Sequence, residues 1–315
     1  MNVTLRQLEV FTLVAKHLNF TRASQLLHMT QPAVSMQIKQ LEENLGIPLF
    51  EKMGKQIFLT EAGREMYQYA NRIAREVLEA TEVIEDLKGS KRGHLRIAVA
   101  STANYFATRL LGIFCQQHFP GSTFNLEVTN RATLLNLLSN NETDVVIMGK
   151  PPIDYPVMAQ MFLENPLVVI AHPDHPLVKK RNIPLQRLEQ EKFVVREIGS
   201  GTRNAMEYFF RERDVHLVTG MEMNSNEAIK HAVEAELGLG IVSIHTLELE
   251  LETKRLAVLN VEQFPILRHW YLIHRNDKRL TPIAQAFEDF VISHAPKIVL
   301  GATAPKLGKK SVKRL

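Results

Sequence analysis

With 315 residues, of which 45% are hydrophobic and 23% charged, the chain is long enough for two or three compact units and too apolar for a disordered protein. Its single cysteine, Cys115, excludes a disulfide framework and a cysteine-built zinc site, and within the helical stretch LLGIFCQQHF it reads as a core thiol. The net charge of +4 comes from the last 13 residues, where Lys306, Lys309, Lys310, Lys313 and Arg314 meet no acid; without those five charges +4 becomes −1, so overall basicity is no argument for a nucleic-acid partner.

The opening MNVTLRQLEVF has no basic segment, apolar run and cleavage site in series, and nowhere do about 18 apolar residues run together. A soluble cytoplasmic protein without membrane contact is expected. Thr4 and Gln7 form a capping-box pattern ahead of Leu5, Leu8, Phe11, Ala15 and Leu18 at helical spacing. Thr21 is the expected N-cap of a second helix, TRASQLLHM, with Ala23, Leu26 and Leu27 inward. Thr30, with Pro32 in the first turn, opens a third, QPAVSMQIKQLEENLG, that stops at Gly46. Two helices joined by a short turn, the second polar on its opening turns, make a helix-turn-helix.

In that third helix Ala33, Val34, Ile38 and Leu41 are expected to pack inward, leaving Gln31, Ser35, Met36, Gln37 and Lys39 outward. Short amides and hydroxyls near a helix N-terminus suit base edges, and lysine suits a phosphate. LFEKMGKQIFLT reads as a hairpin wing with Lys52 and Lys55 near its tip, and Thr21, Arg22 and Ser24 are candidate phosphate contacts. The candidate DNA-contacting set is therefore Thr21, Arg22, Ser24, Thr30, Gln31, Pro32, Ala33, Ser35, Met36, Gln37, Lys39, Lys52 and Lys55. Residues 1–60 carry only six Lys/Arg against four Glu, so this head is weakly charged.

The run FTRASQLLHMTQPAVSMQIKQLEENLGIPLFEKMGKQIFLTEAG resembles the winged helix-turn-helix of the LysR-type transcriptional regulators, nearly continuously from Leu5 to Gly63. Met36 departs from the pattern, since many members carry Arg there. The resemblance implies an all-α winged helix-turn-helix that binds promoter DNA, and a protein that works with RNA polymerase.

Thr60 caps a long helical stretch along which Met66, Ala70, Ile73, Val77, Ala80, Ile84 and Leu87 alternate spacings of four and three. Such a heptad stripe, with β-branched Val77 and Ile84 at one type of position, suits two strands and predicts a homodimer. Dimerisation lets two recognition helices read half-sites related by a dyad. The homotetramer usual in LysR-type proteins is implied by the resemblance. The expected layout is a winged helix-turn-helix over 1–60, a linker helix over 61–92 ending in KGSKRG, an effector domain over 93–295 and a basic, disordered tail over 296–315.

From His94, strands rich in Val and Ile alternate with helices in two successive halves, connected through VMAQMFL and LVVIAH and closed by HWYLIHR and PIAQAFEDFVISH. This order and length resemble the two α/β lobes of the periplasmic-binding-protein-like sensor domain in LysR-type proteins. Ligands of such sheets sit at strand carboxyl ends, where helix N-termini offer N–H groups to anions. The residues following those strands are Ser101, Thr102, Asn130, Arg131, Gly149, Lys150, the loop Gly199, Ser200, Gly201, Thr202 and Arg203, and Asn224 to Glu227. Arg203 is the expected anion partner there.

No GxxxxGK[ST], HExxH, GxSxG or post-strand GxGxxG is present, and the only His spacing of note, His172 and His175, flanks a Pro-Asp turn. Neither an enzyme nor a metal site is expected, and a DNA-coating protein would not need so large a sensor. SMQIKQLE, EKMGKQIFLTEAG and REIGSGTR are most similar to LysR-type regulators of Calvin-cycle operons. That resemblance implies an activator of carbon dioxide fixation genes with no cofactor, responding to a phosphorylated metabolite or NADPH; a regulator of sulfur, nitrogen or aromatic metabolism is the alternative.

Overall fold

A computed structural model describes residues 3–54, 56–87, 93–119, 121–153 and 155–300. Lys55, the side chain of Leu87, residues 88–92 of the linker and residues 301–315 of the expected tail lie outside the described residues. The chain divides into two compact units near residue 90.

The first unit contains α1 (Leu5–His17), α2 (Phe20–Leu26), α3 (Gln31–Leu45), the antiparallel pair β1 (Phe50–Met53) and β2 (Gln56–Leu59), and α4 (Glu61–Leu87). Thr4 and Gln7 form the capping box on α1, and Thr30 accepts the Ala33 N–H at 3.4 Å to start α3. The start of α2 differs from expectation: Asn19 is its N-cap, accepting the Arg22 N–H at 2.9 Å, and Thr21 lies inside the first turn. An Asn amide reaches the N3 N–H as well as a hydroxyl does, so the helix begins two residues earlier than Thr21 as N-cap suggested. Leu26 is correspondingly exposed, while Ala23 and Leu27 are buried with Phe11, Val34, Ile38 and Leu41. Gly63 is needed for the join to α4, because a Cβ there would lie 2.0 Å from the Leu49 carbonyl oxygen.

The heptad stripe of α4 is split. Ala70 is fully buried and Met66 partly buried in the core of this same unit, so neither belongs to a free seam. Packing on the chain's own core uses up the N-terminal end of the stripe. Ile73, Val77, Ala80 and Ile84 are exposed, together with Tyr69 and Leu78.

The second unit has two α/β lobes. In one, β3 (His94–Ala100), β4 (Thr123–Thr129), β5 (Val145–Met148), β6 (Val157–Glu164) and β12 (His269–Arg275) form a sheet of order β4-β3-β5-β12-β6, flanked by α5 (Asn104–Gln117), α6 (Arg131–Ser139) and α10 (Pro282–Leu300). In the other, β7 (Leu167–Ala171), β8 (Lys192–Arg196), β9 (Val218–Met223), β10 (Leu239–Ser243) and β11 (Ala257–Val258) have the order β11-β7-β10-β8-β9, with α7 (Gly201–Arg211), α8 (Asn226–Glu234) and the short α9 (Glu248–Glu252). Phe114, Phe287 and Phe290 fill the first core, and Phe193, Phe209 and Phe210 the second. Within each sheet the β3–β4, β3–β5, β8–β9 and β8–β10 pairs are parallel, whereas β12 runs antiparallel to β5 and β6.

The chain crosses between lobes twice. The crossings are bonded to each other: Leu167 and Ile266 exchange two backbone hydrogen bonds of 3.0 Å, and the Asn165 N–H donates to the Arg268 carbonyl at 2.7 Å. A two-stranded hinge results. The expected tail also begins later than 296, because α10 continues through Pro296 to Leu300. Burial of Ala295 and Val299 in the lobe core offsets the backbone hydrogen bond that Pro296 removes. Among the described residues no helix is long and apolar enough to cross a membrane.

Beneath the first lobe, Asp144 is buried between Arg96 at 2.9 Å and Lys278 at 2.8 Å. Burial opposes its ionisation, but Lys278 and Arg96 outweigh burial and hold the carboxyl below its ordinary range. A depressed carboxyl adds stability above its unfolded pKa and loses it as pH falls through the folded one. Asp144→Asn should lower the urea-unfolding free energy of the effector unit by about 3 kcal/mol at pH 7, through loss of the buried negative charge between Lys278 and Arg96. The gap from the unsubstituted protein should close below about pH 4.

Candidate functional site

The parallel strands β3, β4, β5 and β8 end around one cleft of about 390 Å³, measured out to open solvent. From the first lobe it is bordered by Ser101, Thr102, Asn130, Arg131 and Gly149, and from the second by Ser200, Gly201 and Thr202. The order of strands and helices brings these eight together as expected. Two helices begin at its wall. Asn130 Oδ1 accepts the Thr133 N–H at 3.1 Å at the head of α6, and Ser200 Oγ accepts the Thr202 N–H at 3.3 Å at the head of α7. Each helix start adds partial positive charge and unused N–H groups.

The charge of the cleft comes from residues that did not stand out in sequence. Arg268 borders it from the hinge, donating through Nη1 to the Gly201 carbonyl at 2.9 Å. Arg131 donates to the Lys150 carbonyl. Among the described residues no carboxylate pairs with either guanidinium. Burial, and then the charge of Arg131, push Arg268 down to about 10, and burial lowers Arg131 as well. Both stay cationic at neutral pH. Two like charges next to two positive helix ends make the cleft electrostatically favourable to an anion.

Arg196, at the end of β8, also borders the cleft, but its charge is met by Glu197 at 2.8 Å; it further donates to Asn226 at 2.9 Å and, across the cleft, to Ser101 at 3.2 Å. Trp270 forms part of the wall, 2% exposed, and its Nε1 has no acceptor among the described residues.

Five expected residues are elsewhere. Arg203 turns away, bonded to Glu207 at 2.7 Å, to the Arg196 carbonyl at 2.9 Å and to Glu222. Two carboxylates already satisfy it, and its position three residues into α7 points it off the cleft side. Glu227 accepts from the Tyr105 hydroxyl and pairs with Lys230 at 2.7 Å, tying α5 of one lobe to α8 of the other. Burial, reinforced by Glu227, raises the Tyr105 phenol well above its ordinary value and keeps it a donor. Lys150 is exposed outside the cleft, Gly199 provides a left-handed turn with φ +91° behind it, and Asn224 is exposed beyond it.

Arg268 was missed because it precedes a strand. Since β12 is antiparallel to β5, with Tyr271 opposite Met148, its entrance lies at the carboxyl end of β5. The basic pair in ILRHW was therefore a signal only once the direction of β12 was known. Arg196 precedes the loop Gly199 to Arg203 by three residues.

On the helix-turn-helix, Thr21, Arg22, Thr30, Gln31, Pro32, Met36, Lys39 and Lys52 are exposed, and Ala33, Ser35 and Gln37 partly so. Gln31 Nε2 donates to Ser35 Oγ at 2.9 Å, and Lys39 pairs loosely with Glu43 at 3.7 Å. Ser24 does not belong with them: it is buried, and its hydroxyl donates to the Thr21 carbonyl at 2.8 Å. A hydroxyl bonded back into its own helix has no proton to offer a phosphate.

Residues 5–64 match the family model for the bacterial regulatory helix-turn-helix protein of the lysR family, and residues 88–296 match that for the LysR substrate binding domain. The chain is 56% identical over 298 residues to a RuBisCO operon transcriptional regulator of Allochromatium vinosum, covering 95% of this chain and 98% of that protein. It is 46% identical over 293 residues to the HTH-type transcriptional activator CmpR of Synechocystis, covering 93% and 96%. The regulatory domain of Synechocystis CcmR, solved in complex with 2-PG, is 43% identical with a TM-score of 0.62, covering 64% of this chain and 97% of that one.

A Cβ at Gly149 would lie 2.5 Å from Arg268 Nη2, the movable end of a long side chain. Gly149→Ala should therefore fold normally, displace the guanidinium, and weaken thermal stabilisation of the protein by sodium sulfate about tenfold in concentration. An unchanged sulfate titration would remove Arg268 from the anion site.

Proposed function

The chain belongs to the LysR family of bacterial transcriptional regulators, and on that premise we propose that it activates carbon-fixation genes in response to a small dianion bound in the cleft between its lobes. Its matches are to a DNA-binding head and a sensor domain, and its relatives are named as regulators, so the protein is not an enzyme. The RuBisCO operon regulator at 56% identity supports the class of target genes. The observation that carries the ligand reading is the Arg131 and Arg268 pair, unmatched by a carboxylate among the described residues and flanked by the starts of α6 and α7.

The 2-phosphoglycolate bound by CcmR has a phosphate and a carboxylate at opposite ends of a two-carbon body. Two cationic centres and two helix N-termini match two anionic groups. Of the two expected effector types, the ligand bound by CcmR supports the small phosphorylated metabolite over NADPH. No further cofactor enters this reading. The exposed Ile73, Val77, Ala80 and Ile84 on α4 support a homodimer, while assembly into a tetramer, contact with RNA polymerase and a cytoplasmic location rest on the family alone.

Bound ligand raises unfolding free energy by RT ln(1 + [L]/Kd), about 2.7 kcal/mol at a hundredfold excess over Kd. 2-Phosphoglycolate should raise Tm, Arg268→Gln should weaken the effect at least about tenfold through loss of a charged hydrogen bond, and Arg203→Ala should leave it intact. Loss with Arg203→Ala but retention with Arg268→Gln would overturn the site. On the DNA side, Gln31→Ala should cost about 1–3 kcal/mol on the cognate promoter and little on scrambled duplex. Lys52→Ala should weaken both and reduce the slope of log affinity against log salt by about 1. Mobility-shift titrations at several salt concentrations measure both.

A further inference from the structure

Beside the anion cleft lies a second and larger concavity, about 1380 Å³ out to open solvent, which shares Arg131, Gly201 and Arg268 with it. Its wall combines the cleft's one-sided positive charge with exposed apolar side chains that the cleft lacks. Ile153, Leu267 and Tyr208 are 80%, 69% and 58% exposed, side by side with Pro151 and Pro152. Around them stand four cations, Arg131, Lys150, Arg213 and Arg268, with no carboxylate among the described lining residues. Arg213 is held by a hydrogen bond to Gln263 and by stacking 3.8 Å from the centre of the Phe209 ring, so its charge is oriented without being neutralised.

Two other cavities among the described residues do not have this character. The one beneath α7 and β9 contains Glu207 and Asp214 as well as Arg211, and the one at His172 and His175 contains Glu191 and Glu236. A small dianion has no use for exposed Tyr208 and Leu267. Contiguous exposed apolar side chains on a soluble domain mark a binding surface, and a one-sided ring of cations selects the sign of what binds.

We propose that this groove binds an amphiphilic organic anion, with its flat apolar body on Tyr208 and Leu267 and its acidic group on Arg131 and Arg268. The inference rests on those two arginines forming the anion site described above. Because one guanidinium pair serves both concavities, the amphiphile and the small dianion compete. Occupancy of the groove therefore lowers sensitivity to the small effector, by a ligand of a different chemical class.

The test uses the intact protein and 8-anilinonaphthalene-1-sulfonate, an aromatic body carrying one sulfonate. Its fluorescence should rise on binding to the folded protein and be displaced by 2-phosphoglycolate. Tyr208→Ala and, separately, Leu267→Ser should weaken dye binding about tenfold and leave the 2-phosphoglycolate shift in Tm unchanged, both side chains being exposed. Absence of dye binding, dye binding indifferent to both substitutions, or simultaneous occupancy by dye and 2-phosphoglycolate would each overturn the groove. Dye binding that depends on Tyr208, without any response to 2-phosphoglycolate, would instead leave the groove standing and remove the small-dianion reading.

Discussion

The constraint on which the sensor depends is the placement of two like charges, Arg131 and Arg268, at one cleft without a counter-charge from the described protein. Folding must bury part of both guanidiniums and bring them towards two helix N-termini of the same sign, which costs free energy. An incoming anion relieves all of these at once. The backbone that imposes the arrangement is the hinge, where Asn165 bonds the Arg268 carbonyl and Leu167 pairs with Ile266. Arg268 is thus fixed by the same pair of strands about which the lobes would turn.

Other contacts cross between the lobes. Arg196 reaches Ser101, Tyr105 reaches Glu227, and Arg268 reaches the Gly201 carbonyl. Each would be altered by a change of angle between the lobes, so a ligand that binds one angle better than another would differ in free energy between them. That difference is what a conformational response requires. Buried Lys230 strengthens the Tyr105–Glu227 link, since it also pairs with Glu250 and lies 5.1 Å from the Tyr105 ring centre. Glu227 thus belongs to a contact between the lobes and not to the charged wall of the cleft.

The head has a different economy. Residues 1–60 have little excess positive charge, and Lys39 is drawn partly towards Glu43. A single such head would hold a duplex weakly, because phosphate contacts supply most of the non-specific affinity. Ile73, Val77, Ala80 and Ile84 are exposed along α4, and the proposed homodimer would double the head through them. That stripe is shorter than its sequence period indicates, because Ala70 and Met66 are spent on anchoring α4 to the head it carries. The same helix is part of the head's core at one end and exposes Ile73, Val77 and Ile84 further along.

How much was legible in sequence follows from which interactions are local. Capping at Thr4 and Thr30, the wing turn at Gly54 and the alternation of strand and helix are set by neighbours a few residues apart, and these stood out. So did the loops after parallel strands, since every such strand ends on the same side of its sheet. The sequence by itself also carried the family, through a nearly unbroken head motif. What only the tertiary structure decided was which charges face the ligand. Arg203 looked available until Glu222, on a neighbouring strand, was brought to it, and Arg268 looked incidental until β12 was seen to run against β5. An ionised side chain takes its role from partners on other elements, 19 residues away for Arg203 and Glu222 and 67 for Arg268 and Gly201. The direction of one strand settles where such partners meet, and side-chain periodicity is the same in either direction.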